Sequence, residues 1–186
     1  MDHQADYMYK ELIFTGFGGQ GIILAGFISG KAASIYQNLS ATLTQNYGPE
    51  SRGGACSAHL IVSDKEIFYP HVSHPDILVA LSQEGFNQHK DKISKDGIII
   101  IEQDLVKLKD EEKSNLPKIF PIPATRLAEE MGKKMVANII ALGYLTAVSK
   151  VISKEAMKEA IRESVPPGTE ELNFKAFEIG FNYKNS

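Results

Sequence analysis

Glu11-Leu12-Ile13-Phe14-Thr15-Gly16-Phe17-Gly18-Gly19-Gln20-Gly21 is the stretch on which the fold turns. A short apolar run ends in glycines, and Gly21 to Ile35 then repeats apolar residues in a helical pattern, so the segment reads as strand, turn and helix. From Asn38 to Asn46, Leu39, Ala41 and Leu43 alternate with Ser40, Thr42 and Thr44, the period of a strand that returns after the helix. The first third of the chain is therefore expected to be a βαβ unit.

Beyond it, Tyr47-Gly48-Pro49-Glu50-Ser51-Arg52-Gly53-Gly54 is a turn-rich loop without periodicity. Cys56 to Ser63 alternates as another strand, which Ser63-Asp64-Lys65-Glu66 turns into a hairpin with Ile67 to Tyr69. Ile77 to Leu81 and Ile98 to Ile101 are aliphatic runs of the kind buried on both faces of a parallel sheet, with the amphipathic segment Gln83 to Ile93 between them. A polar stretch from Gln103 to Asn115 precedes one more strand at Lys118 to Pro121. Three helices close the chain: Lys133 to Ile152, Lys154 to Ser164 behind the N-cap Ser153, and Glu170 to Lys184 behind the N-cap Thr169. Pro166-Pro167-Gly168 separates the last two.

The expected fold is α/β: a three-layer α/β/α domain with a Rossmann-like, mostly parallel sheet, one hairpin and a helical C-terminal third. Residues 1–10 form an N-terminal arm and 11–186 a single domain. Ile22 to Ile35 and Met135 to Val148 are apolar nearly all round and must be covered on more than one side, by another subunit or by the domain's own core.

Composition narrows the function. At about 150 residues per domain, 186 residues make one domain. Twenty basic against 23 acidic residues leave a net charge of −3, with no basic field for nucleic acid or an anionic membrane. The longest strongly apolar stretch, Met135 to Val148, has 14 residues, where a membrane span needs about 20. The N-terminus lacks the basic-then-apolar order of a secretory signal, which points to the cytoplasm. A single cysteine, Cys56, forms no internal disulfide, no four-thiolate cluster and no redox pair.

Gly16-Phe17-Gly18-Gly19-Gln20-Gly21 matches GxGxxG between a strand and a helix, where backbone N–H groups favour an anion. A dinucleotide site also wants a carboxylate about 20 residues on, yet no acid lies between Glu11 and Glu50. The loop binds another phosphate-bearing group, forms a subunit contact, or is simply a tight turn. In the 47–54 loop, Arg52 suits a carboxylate or phosphate clamp and Glu50 can orient it or accept a proton; an internal Glu50–Arg52 ion pair is the plainer alternative. The candidate cofactor-contacting residues are Gly16, Gly18, Gly19, Gln20, Gly21, Tyr47, Gly48, Glu50, Ser51, Arg52 and Gly53. No catalytic residue is assigned. His71 and His74 have a metal-like spacing, but Pro75 argues against a helix there and no ligand set is completed, so no metal is expected. His59 reads as half-buried in a strand, His89 as part of a polar helix face, and Cys56 as a packing residue. No nucleophile elbow or P-loop is present.

Gly16 to Gly26 followed by Tyr47 to Gly54 resembles the gamma subunit of 2-oxoacid:ferredoxin (acceptor) oxidoreductases. Tyr69-Pro70, Pro75 to Glu84, Asn138 to Gly143, Glu171-Leu172-Asn173, Ala176-Phe177 and Gly180 extend the likeness over nearly the whole chain after Lys10. The 47–54 loop is most similar to the 2-oxoglutarate members, with pyruvate and branched-chain members next.

The resemblance implies oxidative decarboxylation of a 2-oxoacid with coenzyme A, giving an acyl-CoA, carbon dioxide and a reduced acceptor. It implies that the gamma chain is inactive alone and binds no cofactor alone. Thiamine diphosphate with Mg would sit between alpha and beta subunits, and iron-sulfur clusters in cysteine-rich parts outside gamma. A ferredoxin-like delta subunit, ferredoxin or flavodoxin as acceptor, and a higher-order oligomer complete the picture. A stand-alone nucleotide-binding protein and a purely structural assembly module are the competing expectations.

Overall fold

Strand β1 (Tyr9–Phe17) is the axis of the sheet in the computed structural model, which describes residues 7–47 and 54–184. Five more strands flank it: β2 (Ser40–Tyr47), β3 (Ala55–Ser63), β4 (Ile77–Ala80), β5 (Ile98–Glu102) and β6 (Lys118–Ile122). Their order is β2-β3-β1-β4-β5-β6. β1, β4, β5 and β6 pair in parallel, whereas β3 runs antiparallel to both β1 and β2. The expected βαβ unit is present, with β3 inserted between its two strands.

That insertion moves the hairpin. The expected partner of β3, Ile67 to Tyr69, is not a strand; β2 takes the place instead. Both edges of β3 are occupied along their length, Ile13 facing His59 on one side and Thr44 on the other, so no edge is left for a later segment. Residues 64–76 instead carry the chain irregularly to β4, leaving Phe68 86% exposed.

β1 sends alternate side chains to two cores, as a strand with both faces covered must. Leu12 and Phe14 enter the larger core, shared with α1 (Ile22–Lys31), α4 (Ala124–Glu130), α5 (Ala137–Ser149), α6 (Lys154–Ser164) and α7 (Glu170–Phe181). Ile13 enters the smaller one, with Phe86 of α2 (Gln83–His89), Val106 and, packed against it, Leu116, which follows α3 (Asp110–Asn115). β4 is buried throughout, the reason its sequence has no polar alternation.

The two all-round apolar helices are resolved differently. α5 is buried from Asn138 to Thr146 by the chain's own C-terminal helices, so closely that a Cβ on Gly180 would strike the carbonyl oxygen of Ile140. α1 keeps an outward apolar face: Phe27 is 49% exposed, and Ile35, in the π-helical turn Ala32–Tyr36 that extends α1, 66%.

Local chemistry explains most boundaries. Ser153 Oγ accepts from the Ala156 N–H at 3.2 Å and starts α6 where expected. Thr169 does not cap α7 through its side chain; its hydroxyl donates to the Pro166 carbonyl at 2.7 Å. β1 begins at Tyr9, inside the expected arm, and Met8 N–H donates to Asp64 Oδ2. Among the described residues no helix is long and apolar enough to cross a membrane.

Candidate functional site at the end of strand β1

Where β1 ends, the chain turns through residues 17–21 into α1, at the carboxyl edge of the parallel strands. That is where open α/β sheets place their ligands. The turn is held from inside. Gln20 folds back so that its Oε1 accepts from the Phe17 N–H at 2.7 Å and its Nε2 donates to the Leu81 carbonyl, beyond β4, at 3.0 Å. Gln20 N–H donates to the Phe17 carbonyl at 3.1 Å.

The motif's outer glycines follow from these amides. A Cβ on Gly16 would collide with Gln20 Oε1 and lie 2.7 Å from Ile22 Cδ1. Gly21 is the N-cap of α1 at φ 72°, the left-handed region that glycine adopts without strain. A Cβ there would strike the amide of Asn138, whose Nδ2 donates to the Gly21 carbonyl at 3.2 Å. Gly19, at φ 96°, has none of the described residues within 4 Å of where its Cβ would be. Gly18 N–H donates to the Gly54 carbonyl at 3.1 Å, which brings the start of β3 against the glycine turn.

Around this junction lies a pocket of about 380 Å³, open to solvent and lined by Phe17, Gly18, Gly19, Gly21 to Leu24, Tyr47 and Gly54 to Cys56. The structure therefore brings together Gly18, Gly19, Gly21 and Tyr47 of the expected site, and places Gly16 and Gln20 in its support. Gly48, Glu50, Ser51, Arg52 and Gly53 lie outside the described residues.

Chemically the described lining offers backbone N–H groups and apolar side chains, with no acidic or basic side chain. The first turn of α1 has no acidic residue and carries the N–H groups a helix leaves unpaired, which favour a negative group. Cys56 is buried, and burial pushes its thiol above the ordinary value, the opposite of an activated nucleophile.

Asn138 escaped sequence reasoning as a site residue because it lies 117 positions from Gly21. Its available signal was a lone amide near the start of an apolar helix.

The other expected groups are elsewhere. His89 is a correction: the turn of α2 puts it on the buried face with Gly85 and Phe86, 3% exposed, and neither ring nitrogen has a hydrogen-bond partner among the described residues. Burial pulls its pKa down to about 4, helped by His59 and Lys92. His59 is half-buried as expected, and burial lowers its pKa too. His71 and His74 are exposed. Glu11 lies at the opposite end of β1 and accepts from the Ser73 and His74 N–H groups at 2.8 and 2.7 Å. Among the described residues no three His, Cys, Asp or Glu side chains are grouped to hold a metal.

Comparison with known proteins gives consistent matches. The family model described as pyruvate ferredoxin/flavodoxin oxidoreductase matches residues 11–183. Subunit KorC of 2-oxoglutarate synthase from Methanothermobacter thermautotrophicus is 48% identical over 175 residues, covering 92% of this chain and 93% of that protein. The crystal structure of a keto/oxoacid ferredoxin oxidoreductase gamma subunit from Geobacter sulfurreducens matches with a TM-score of 0.80 at 39% identity, covering 92% of this chain and 96% of that one. The fold is also shared with 2-oxoglutarate:ferredoxin oxidoreductase from Magnetococcus marinus, solved with 2-oxoglutarate, coenzyme A and succinyl-CoA bound. There the TM-score is 0.81 at 24% identity, and the match spans 93% of this chain but 30% of that chain.

Proposed function

The chain belongs to the pyruvate ferredoxin/flavodoxin oxidoreductase family, and from that membership we propose that it is the gamma subunit of a 2-oxoglutarate:acceptor oxidoreductase. The assembled enzyme converts 2-oxoglutarate, coenzyme A and an oxidised acceptor into succinyl-CoA, carbon dioxide and the reduced acceptor. The observation that carries this reading is the 48% identity to a 2-oxoglutarate synthase subunit across nearly the full length of both chains.

The donor chemistry of this chain assigns it a supporting part. One cysteine does not ligate an iron-sulfur cluster, which takes four thiolates. The described residues hold no acidic group in the pocket at the end of β1. Thiamine diphosphate, Mg and the clusters are accordingly assigned to alpha and beta catalytic subunits and a ferredoxin-like delta subunit, with ferredoxin or flavodoxin as acceptor.

To this chain we assign the coenzyme A side of the site: the Gly19 and Gly21 N–H groups, which the turn's internal hydrogen bonds do not use, and those of the first turn of α1 meet a phosphate or carboxylate. Arg52 clamps the same kind of group, with Glu50 orienting it. Arg52→Ala in the assembled enzyme is expected to raise KM for coenzyme A or the 2-oxoacid; unchanged constants in an intact complex would remove Arg52 from the site.

The exposed apolar face of α1 is the surface proposed for partner subunits. It borders a groove of about 370 Å³ between α1 and β2, lined by Phe27, Ile35, Ala41 and Leu43. Contiguous apolar surface of this kind marks an interaction site. The location proposed for the assembled enzyme is the cytoplasm.

Co-expression of the tagged chain with the alpha, beta and delta subunits tests the reading. All four should purify together, with kcat/KM highest for 2-oxoglutarate among 2-oxoglutarate, pyruvate and branched-chain 2-oxoacids. A higher value for another 2-oxoacid would replace the substrate assignment.

A further inference from the structure

We infer that Gln20 and Asn138 are positioning residues: their side-chain amides fix the conformation in which the glycine turn presents its backbone N–H groups, and neither amide is itself a ligand group. The inference rests on the assignment of this turn to coenzyme A binding.

Both ends of the Gln20 amide are engaged within the fold, Oε1 by the Phe17 N–H and Nε2 by the Leu81 carbonyl. The same side chain therefore ties the last residue of β1 to the end of the neighbouring parallel strand. Asn138 is engaged in the same way, its Nδ2 by the Gly21 carbonyl and its Oδ1 by the Ile139 N–H at 3.0 Å. It is 3% exposed and reaches the turn from α5, on the larger-core side of the sheet.

The clearance supports this. Gly16 and Gly21 are the positions where an added Cβ would meet those two amides, whereas at Gly19 it would meet nothing within 4 Å among the described residues. The outer glycines of GxGxxG here make room for the clamps, and Gly19 with the first turn of α1 is left facing the pocket. Of the three motif glycines, Gly16 and Gly21 are thus seats for internal amides and Gly18 is tied to the start of β3 by its N–H, while Gly19, a variable position of the motif, faces the pocket.

Gln20→Met keeps the length of the side chain and removes both hydrogen bonds; Gln20→Glu keeps an acceptor for the Phe17 N–H and loses the donor to Leu81. Hydrogen exchange of the Phe17 to Gly21 amides is measured on the full chain, and coenzyme A kinetics on the assembled enzyme. Gln20→Met is expected to speed Phe17 exchange about tenfold or more. It should raise KM for coenzyme A about fivefold while kcat stays within about twofold. Gln20→Glu should retain protection at Phe17 while its added negative charge beside the anion-facing turn raises KM at least as much, and Asn138→Ala should raise KM as Gln20→Met does. Unchanged exchange in Gln20→Met would overturn the positioning role itself. Faster exchange with an unchanged KM for coenzyme A would overturn the ligand assignment on which the inference rests, leaving only a braced turn.

Discussion

The imidazoles of His59 and His89 meet edge to face, their ring centroids 5.6 Å apart and their planes 84° apart. One comes from β3 and the other from α2, so the pair pins that helix to the sheet where His89 has, among the described residues, no hydrogen-bond partner for either nitrogen. Such a ring is tolerated only as long as it is neutral.

This gives a pH dependence with a defined sign. An unfolded imidazole titrates near 6.5, and burial holds that of His89 at about 4. The folded chain binds fewer protons between these values, so the stability is fully present above pH 6.5 and is lost as pH falls towards 4. From pH 7.5 to pH 5 the expected loss is about 2 kcal/mol. Urea unfolding of the full chain at the two pH values should show it, and His89→Phe should remove most of the difference. An equal pH dependence in His89→Phe would assign the loss to other groups.

Glu102 caps a helix it does not belong to. Its Oε2 accepts from the Thr125 N–H at 2.7 Å and from the Thr125 hydroxyl at 2.8 Å, while its Oε1 accepts from the Asp104 N–H at 3.0 Å. Glu102→Ala removes the acceptor from the half-buried Thr125 and the exposed Asp104 and should cost about 1–2 kcal/mol in urea unfolding at pH 7. A cost no larger than that of an ordinary surface substitution would mean that water replaces the carboxylate.

The α5–α7 crossing has no room for a methyl group, because the Gly180 position faces the Ile140 carbonyl and the Gly143 position faces the Phe177 carbonyl. Gly180→Ala forces the helices apart and should lower stability by about 3 kcal/mol, outweighing the gain in helix propensity of about 1 kcal/mol. A raised Tm in Gly180→Ala would contradict the packing described.

Phe27 is nearly half exposed on the face proposed for partners. Phe27→Glu should change the stability of the isolated chain by no more than about 0.5 kcal/mol. Sedimentation of the variant with its partner subunits should nevertheless show weakened assembly; full assembly would move the interface elsewhere.

Much of this architecture is legible in the sequence, for identifiable reasons. β4 and β5 stand out because strands covered on both faces need unbroken aliphatic runs, and α6 because Ser153 supplies a local cap. α4 does not, since its carboxylate cap comes from Glu102, 23 residues earlier. α3 is missed because its six residues carry no apolar period. The place of β3 between β1 and β2 depends on which sheet edges are free, which no local pattern encodes. The site shows the same division. Its glycines are visible as a motif, while the reasons for Gly16 and Gly21 lie in the folded-back side chain of Gln20 and in Asn138, far along the chain.

Omission and reconstitution test the central claim most directly. Coenzyme A-dependent acceptor reduction with 2-oxoglutarate is measured on the alpha, beta and delta subunits with and without this chain. The predicted result is loss of activity on omission and its return, saturating with one chain per catalytic unit, on addition. Full activity of the remaining subunits without this chain would contradict it.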